Sequence, residues 1–256
     1  MPECELLAHL VAGYPDWEGS RQAALALAAG GAGALEVQFP FSDPSADGPR
    51  IERACHAALA AGFKVEDGFR LVGELTRSLP VPLFIMTYAS LIAARGAADF
   101  AGRAAAAGAW GLIVPDLPPD YDEGLFAAGR KAGLTVAPVL APGISDARLE
   151  LLRSLEPEYA YTALRLGITG GRTTLDAASL AHLDRAAGLG AKIIAGFGVR
   201  TREQFLALSG RAWAAAVGSH FLARLEEAGG DPTALRRAAA ELRGTLSPAA
   251  SIPAGR

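Results

Sequence analysis

Residues 34–51, ALEVQFPFSDPSADGPRI, gather the side chains best suited to acid–base chemistry. Glu36 stands inside an otherwise apolar run. Side chains alternate along a strand, so if Leu35 and Val37 turn outward, Glu36 points into the interior. A carboxyl deprived of water there has its pKa pushed toward the range of a general acid or base. The competing reading is a buried glutamate neutralised by a lysine or arginine. Asp43 and Asp47 follow in a stretch rich in Pro, Ser and Gly. Either can cap a turn or the helix that starts near Pro49. Asp43-Pro44 reads as turn chemistry, whereas Asp47, directly before Gly48-Pro49, is the better candidate for touching a substrate.

Three glycine-bearing segments form a second group. Gly167-Ile168-Thr169-Gly170-Gly171, Gly196-Phe197-Gly198-Val199 and Val217-Gly218-Ser219 each follow a short apolar run. Glycine lets backbone N–H groups approach an anion, and a helix start adds a favourable dipole. One such loop would only turn the chain, but three in succession point to a phosphate, with the Ser219 hydroxyl as an added donor. Asp116, in Val114-Pro115-Asp116-Leu117-Pro118-Pro119, either caps a turn or supports the same site. Tyr161 either packs or projects its hydroxyl inward. His9, His56, His182 and His220 share no ligand spacing, and Cys4 and Cys55 form no CxxC pair, so no metal site is indicated.

The elements that must position these groups are short. Strand candidates fall at 7–12, 34–39, 82–87, 111–114, 135–140, 159–163, 191–195 and 214–217. Most are continuously apolar, as strands buried on both faces are. Helical stretches lie between them at 17–29 (N-cap Asp16), 51–61 (ending at Gly62), 66–78, 93–107, 121–132, 146–154, 176–187, 202–208 and 232–242. Eight β/α units in 256 residues predict an α/β fold, a single (β/α)8 barrel over residues 1–256. A short lead at 1–6 and a frayed tail at 246–256 flank it, and a doubly wound open sheet is the alternative. In a barrel the active site lies at the C-terminal ends of the strands. The glycine segments then follow strands six, seven and eight, where barrels often bind phosphate. Hydrophobic residues at 51% supply a core, and the net charge of −3 gives no basic face for nucleic acid. The N-terminus lacks a basic region before a long apolar stretch, and no apolar run reaches bilayer length, so a soluble cytoplasmic protein is expected.

The segment from Glu36 to Pro49 resembles the tryptophan synthase alpha subunit family, PFSDPxADGP (Pro40–Pro49) being highly specific to it. AGYP at 12–15, 113–119, 167–170, 196–198 and 217–219 extend the resemblance over nearly the whole chain, in the family's order. It implies cleavage of indole-3-glycerol phosphate to indole and D-glyceraldehyde 3-phosphate. It places the family's acid–base glutamate on Glu36 and its loop aspartate on Asp47. Glu36 would protonate the indole carbon and accept the glycerol hydroxyl proton, while Asp47 would remain an anion on the indole N–H. The resemblance also matches Tyr161 to a strand-six tyrosine. It matches Gly170, Gly198, Gly218 and Ser219 to the phosphate loops, and Arg165 and Thr169 to a loop that closes the site. It implies no cofactor in this chain, and a β-subunit partner carrying pyridoxal phosphate in an α2β2 assembly. Departures are Gln38-Phe39 for a usual Gly and small aliphatic residue, Ser45 for a leucine, Pro142-Gly143 for Pro-Thr, and a near-absent N-terminal helix. A free-standing indole-3-glycerol phosphate lyase, a weakly active regulatory subunit and a sugar-phosphate isomerase barrel are the alternatives. The last leaves residues 36–49 unexplained.

Overall fold

The computed structural model describes residues 4–164, 176–196 and 198–245. Nine parallel strands form one sheet: β1 (Glu5–Val11), β2 (Ala34–Gln38), β3 (Leu83–Met86), β4 (Gly111–Ile113), β5 (Thr135–Ala137), β6 (Val139–Leu140), β7 (Tyr159–Ala163), β8 (Lys192–Gly196) and β9 (Ala214–Val217). Their spatial order is β5-β4-β3-β2-β1-β9-β8-β7-β6. The two ends of that order are consecutive pieces of one extended segment, parted by Pro138, which has no N–H to give to a ladder. The Pro138 carbonyl still accepts from the Tyr161 N–H at 2.9 Å. The sheet thus returns on itself through a single segment, the predicted fifth strand, and the architecture is the (β/α)8 barrel rather than an open sheet.

Alternation along the strands separates two apolar layers. Leu6, Ala8, Leu10, Leu35 and Val37 pack outward beneath the helices. Leu7, Ala34, Phe84, Tyr159, Tyr161 and Ile194 fill the barrel interior. Tyr159 meets Phe84 and Trp213 edge to face, its centroid 4.9 Å from that of Trp213, and the three rings plug the N-terminal end of the barrel. The open end is left to the polar residues one turn of the pleat further along: His9, Glu36 and Gln38.

Several boundaries differ from those predicted, each for a local reason. β1 begins at Glu5, whose N–H donates to the Trp213 carbonyl, so the lead is shorter than 1–6. The helix predicted over 93–107 spans Ala97–Ala106, and a separate short helix that was not predicted, Ala89–Ala93, precedes it. Between them Gly96 takes φ +84°, which only glycine adopts without strain. The one predicted over 121–132 starts at Leu125 and runs to Ala132, after a 3-10 turn at Pro119–Tyr121. Asp122 accepts from Gly124 N and Phe126 N and starts that helix. The helix predicted from 51 starts two residues earlier, at Pro49, the N1 position where its missing N–H has no bond to make. A helix at Ser219–Glu227 was not predicted, although Phe221, Leu222 and Leu225 give it a buried face. The predicted tail at 246–256 lies outside the described residues.

Candidate active site

The register β1–β2 sets His9 directly opposite Glu36 on neighbouring strands. Both side chains therefore point the same way, into the barrel mouth, and both are buried. His9 Nδ1 lies 3.0 Å from Glu36 Oε2. Burial by itself pushes the imidazole pKa down. The hydrogen bond and charge of Glu36, with the charge of Asp47, outweigh it and hold His9 above its ordinary value. Among the described residues Glu36 is thus neither isolated nor paired with a lysine or arginine. Its partner is a histidine that the period-two pattern of β1 carries inward behind Leu7.

Asp47 reaches the same space from the loop after β2. Its Oδ2 accepts 2.7 Å hydrogen bonds from Gln38 Nε2 and from Tyr88 Oη. Tyr88 Oη in turn accepts from Ala46 N at 3.2 Å, and its ring stacks on Phe41. His56 Nε2 donates to the Ser42 carbonyl at 2.8 Å, fixing the start of the same loop. Burial raises the Asp47 pKa, opposed by the charge of His9 and by the Tyr88 and Gln38 donors. Burial, and then the neighbouring Asp47 charge, push the Tyr88 phenol upward, so it acts here as a donor. Gln38, noted only as a departure from the family pattern, proves to be a ligand of Asp47.

One mouth cavity, about 600 Å³ when counted out to open solvent, brings together His9, Glu36, Asp47, Tyr161, Gly198, Gly218 and Ser219. Tyr161 projects inward from β7, and its hydroxyl occupies the space that a side chain at Gly196 would fill. Burial, then the charges of Glu36 and Asp47, keep that phenol protonated. Gly198 has φ +108°. Gly218 N-caps the helix Ser219–Glu227, whose first N–H groups have no intrahelical acceptor. A Cβ on Gly218 would lie 3.0 Å from the His9 ring, so glycine there makes room for the histidine. Asp116 does not line the cavity. Its Oδ1 accepts from Ala89 N at 2.9 Å, which ties the loop after β4 to the start of the helix following Tyr88. Arg165, Thr169 and Gly170 lie outside the described residues. Among the described residues no group of three or more His, Cys, Asp and Glu side chains is placed to hold a metal ion, and no helix is long and apolar enough to cross a membrane.

A family model described as tryptophan synthase alpha chain matches residues 2–250. The chain belongs to the tryptophan synthase alpha chain family. It is 40% identical to the tryptophan synthase alpha chain of Helicobacter hepaticus over 88% of this chain and 87% of that one. It is 37% identical to that of Methanosarcina acetivorans over 94% and 88%. Among solved structures it superposes on a chain of Mycobacterium tuberculosis tryptophan synthase with TM-score 0.86, at 32% identity, covering 94% of this chain and 92% of that one. A chain of the α2β2 complex of Pyrococcus furiosus gives TM-score 0.85 at 32% identity, covering 94% and 98%. As a member of this family the chain is a lyase of tryptophan biosynthesis.

Proposed function

We propose that this single-domain barrel cleaves indole-3-glycerol phosphate to indole and D-glyceraldehyde 3-phosphate, as the alpha subunit of a cytoplasmic α2β2 tryptophan synthase. The observation that carries the reading is the meeting of two desolvated carboxyl groups on different mounts: Glu36 on a strand, Asp47 on a loop, facing one cavity. Cleavage of the carbon–carbon bond needs a proton delivered to the indole carbon and another removed from the glycerol hydroxyl. Glu36 does both in turn: its carboxyl protonates the ring carbon, and the resulting carboxylate takes the hydroxyl proton as the bond breaks. The net change is one proton moved from oxygen to carbon, and Glu36 ends as it began.

Asp47 holds the indole N–H and stabilises the positive charge that ring protonation creates. With Oδ2 occupied by Gln38 and Tyr88, Oδ1 is the oxygen for the indole nitrogen. Tyr161 walls the cavity beside Glu36. Gly198, Gly218 and Ser219, with the dipole of the helix that Ser219 begins, receive the phosphate. Gly170 belongs to the same phosphate site, Arg165 and Thr169 to the loop that closes over it, and Asp116 supports the mouth through the loop it fastens. The chain itself is assigned no cofactor; pyridoxal phosphate belongs to the β subunit that takes up the indole. The test is indole release from indole-3-glycerol phosphate by the purified chain, alone and with its β subunit. Release is expected in both cases. Absence of release in both would refute the reading.

A further inference from the structure

We propose that His9 is a positioning residue for Glu36: its Nδ1–H holds Oε2 of the carboxyl, so that Oε1 is the oxygen that exchanges protons with the substrate. This rests on the lyase reading above. The geometry is specific. His9 and Glu36 are register partners on β1 and β2, 3.0 Å apart through Nδ1 and Oε2, and both line the mouth cavity. Nε2 of the same ring is buried and has no hydrogen-bond partner among the described residues. A histidine kept only to satisfy a core would engage both nitrogens, because an unmade bond in a buried site is costly. Here the one bond that is made goes to the carboxyl that carries the chemistry. Gly218 supplies the room, since a Cβ there would press on the ring at 3.0 Å.

The role follows from what happens to Glu36 in turnover. When Glu36 has given its proton to the indole carbon it becomes a buried carboxylate, which needs a donor. The Nδ1–H of a neutral His9 provides one, and His9 keeps its own proton throughout. When the carboxylate takes the hydroxyl proton the bond persists and the carboxyl has not turned. The neutral pair and the His9–Glu36 ion pair hold the same number of protons, so pH does not choose between them; loss of the shared proton to solvent as pH rises leaves Glu36 with none to deliver, and turnover falls along that alkaline limb. Among the described residues the titratable groups facing His9 are Glu36 on β2 and Asp47 in the loop after it. Tyr161 on β7 lines the same cavity, and on the β9 side Ala216 and Gly218 carry no charge.

Three variants test this. His9→Phe should lower kcat roughly tenfold or more while KM changes by less than about threefold, the signature of a group that acts on the reacting carboxyl rather than on substrate affinity. His9→Asn, whose amide can donate to Glu36 without titrating, should recover part of kcat. It should also move the pH limb of kcat by at least about half a unit. A kcat within about twofold of wild type in both variants, with an unmoved pH limb, would overturn the proposal. The third arm needs no substrate. Titration of the His9 imidazole by NMR should give a pKa that falls by about one unit or more in Glu36→Gln. An unchanged value would overturn the coupling. Failure of the wild type to release indole bears on the lyase reading, whereas the NMR titration decides the His9–Glu36 coupling whatever the assay gives.

Discussion

Asp47 sits between forces that burial alone would not balance. Desolvation favours its neutral form, while two neutral donors and a nearby imidazole favour the anion. Hydrogen bonds to a charged group contribute about 1.5–3 kcal/mol each, so the Tyr88 phenol is a substantial part of what makes an anion tolerable there. Tyr88→Phe is therefore expected to destabilise the fold by about 1–3 kcal/mol in urea denaturation at neutral pH. A loss below the error of the measurement would mean that Asp47 does not depend on that bond. His9 ties stability to pH. Its folded-state pKa is held above the ordinary 6.5, so the pair contributes stability that is whole below 6.5 and is lost as pH rises through the folded value. The stability gap between wild type and Glu36→Gln should accordingly be widest at acid pH and should shrink as pH rises. A gap that widened on alkalinisation would contradict the pairing. At this scale the sequence was half legible. Glu36 and Asp47 stood out because carboxyls in an apolar strand and a turn-rich loop invite chemical explanation. His9 did not, although the same alternation that turned Glu36 inward also turns His9 inward. Its meaning depends on the β1–β2 register, which no local pattern reveals. Gln38 and Tyr88 were hidden for the same reason: each matters through a contact 9 or 41 residues away.

At the level of elements, the strands were read well because burial on both faces leaves continuous apolar runs. The helices were read well where a side chain caps them: Asp16 accepts from Gly19 N, and Asp176 accepts from Ser179 N. Errors fell where a backbone angle rather than a pattern decides. Gly96 breaks an alanine-rich run whose periodicity continues through it, and Pro138 splits one barrel strand into two pieces. Asp116 looked equally suited to a cap and to the site, and the bond it makes, to Ala89 N, is of the capping kind. A tight constraint between elements lies at β8, where Gly196 accommodates the Tyr161 hydroxyl of β7. Any Cβ there must displace the tyrosine or the strand. Gly196→Ala should cost about 1–3 kcal/mol of stability by urea denaturation, the usual penalty for overpacking a filled core. It should lower activity as well, because the displaced ring walls the cavity. A variant as stable as wild type would mean that Tyr161 has another position available.

For the molecule as a whole, the closed sheet divides labour along its axis. One end is plugged by Phe84, Tyr159 and Trp213, and the other holds His9, Glu36 and Asp47. A site built from strand ends and loops is fixed where it rests on strands and adjustable where it rests on loops. Glu36 belongs to the first kind and Asp47 to the second. A partner that orders the loops should then raise the rate chiefly through Asp47 and the phosphate contacts. Adding the β subunit to the purified chain is expected to increase kcat for indole release. An unchanged rate would favour a free-standing lyase. The barrel was legible from the count of β/α units, but its closure was not, since periodicity cannot say which strands meet. The decisive measurement is the turnover of indole-3-glycerol phosphate by Glu36→Gln beside wild type, with glyceraldehyde 3-phosphate binding measured on both. Glutamine keeps the size of Glu36 and removes its proton chemistry. Indole release should fall nearly to zero while the product still binds with unchanged affinity. A Glu36→Gln variant that kept most of its turnover would contradict the assignment of Glu36 as the group that moves the proton.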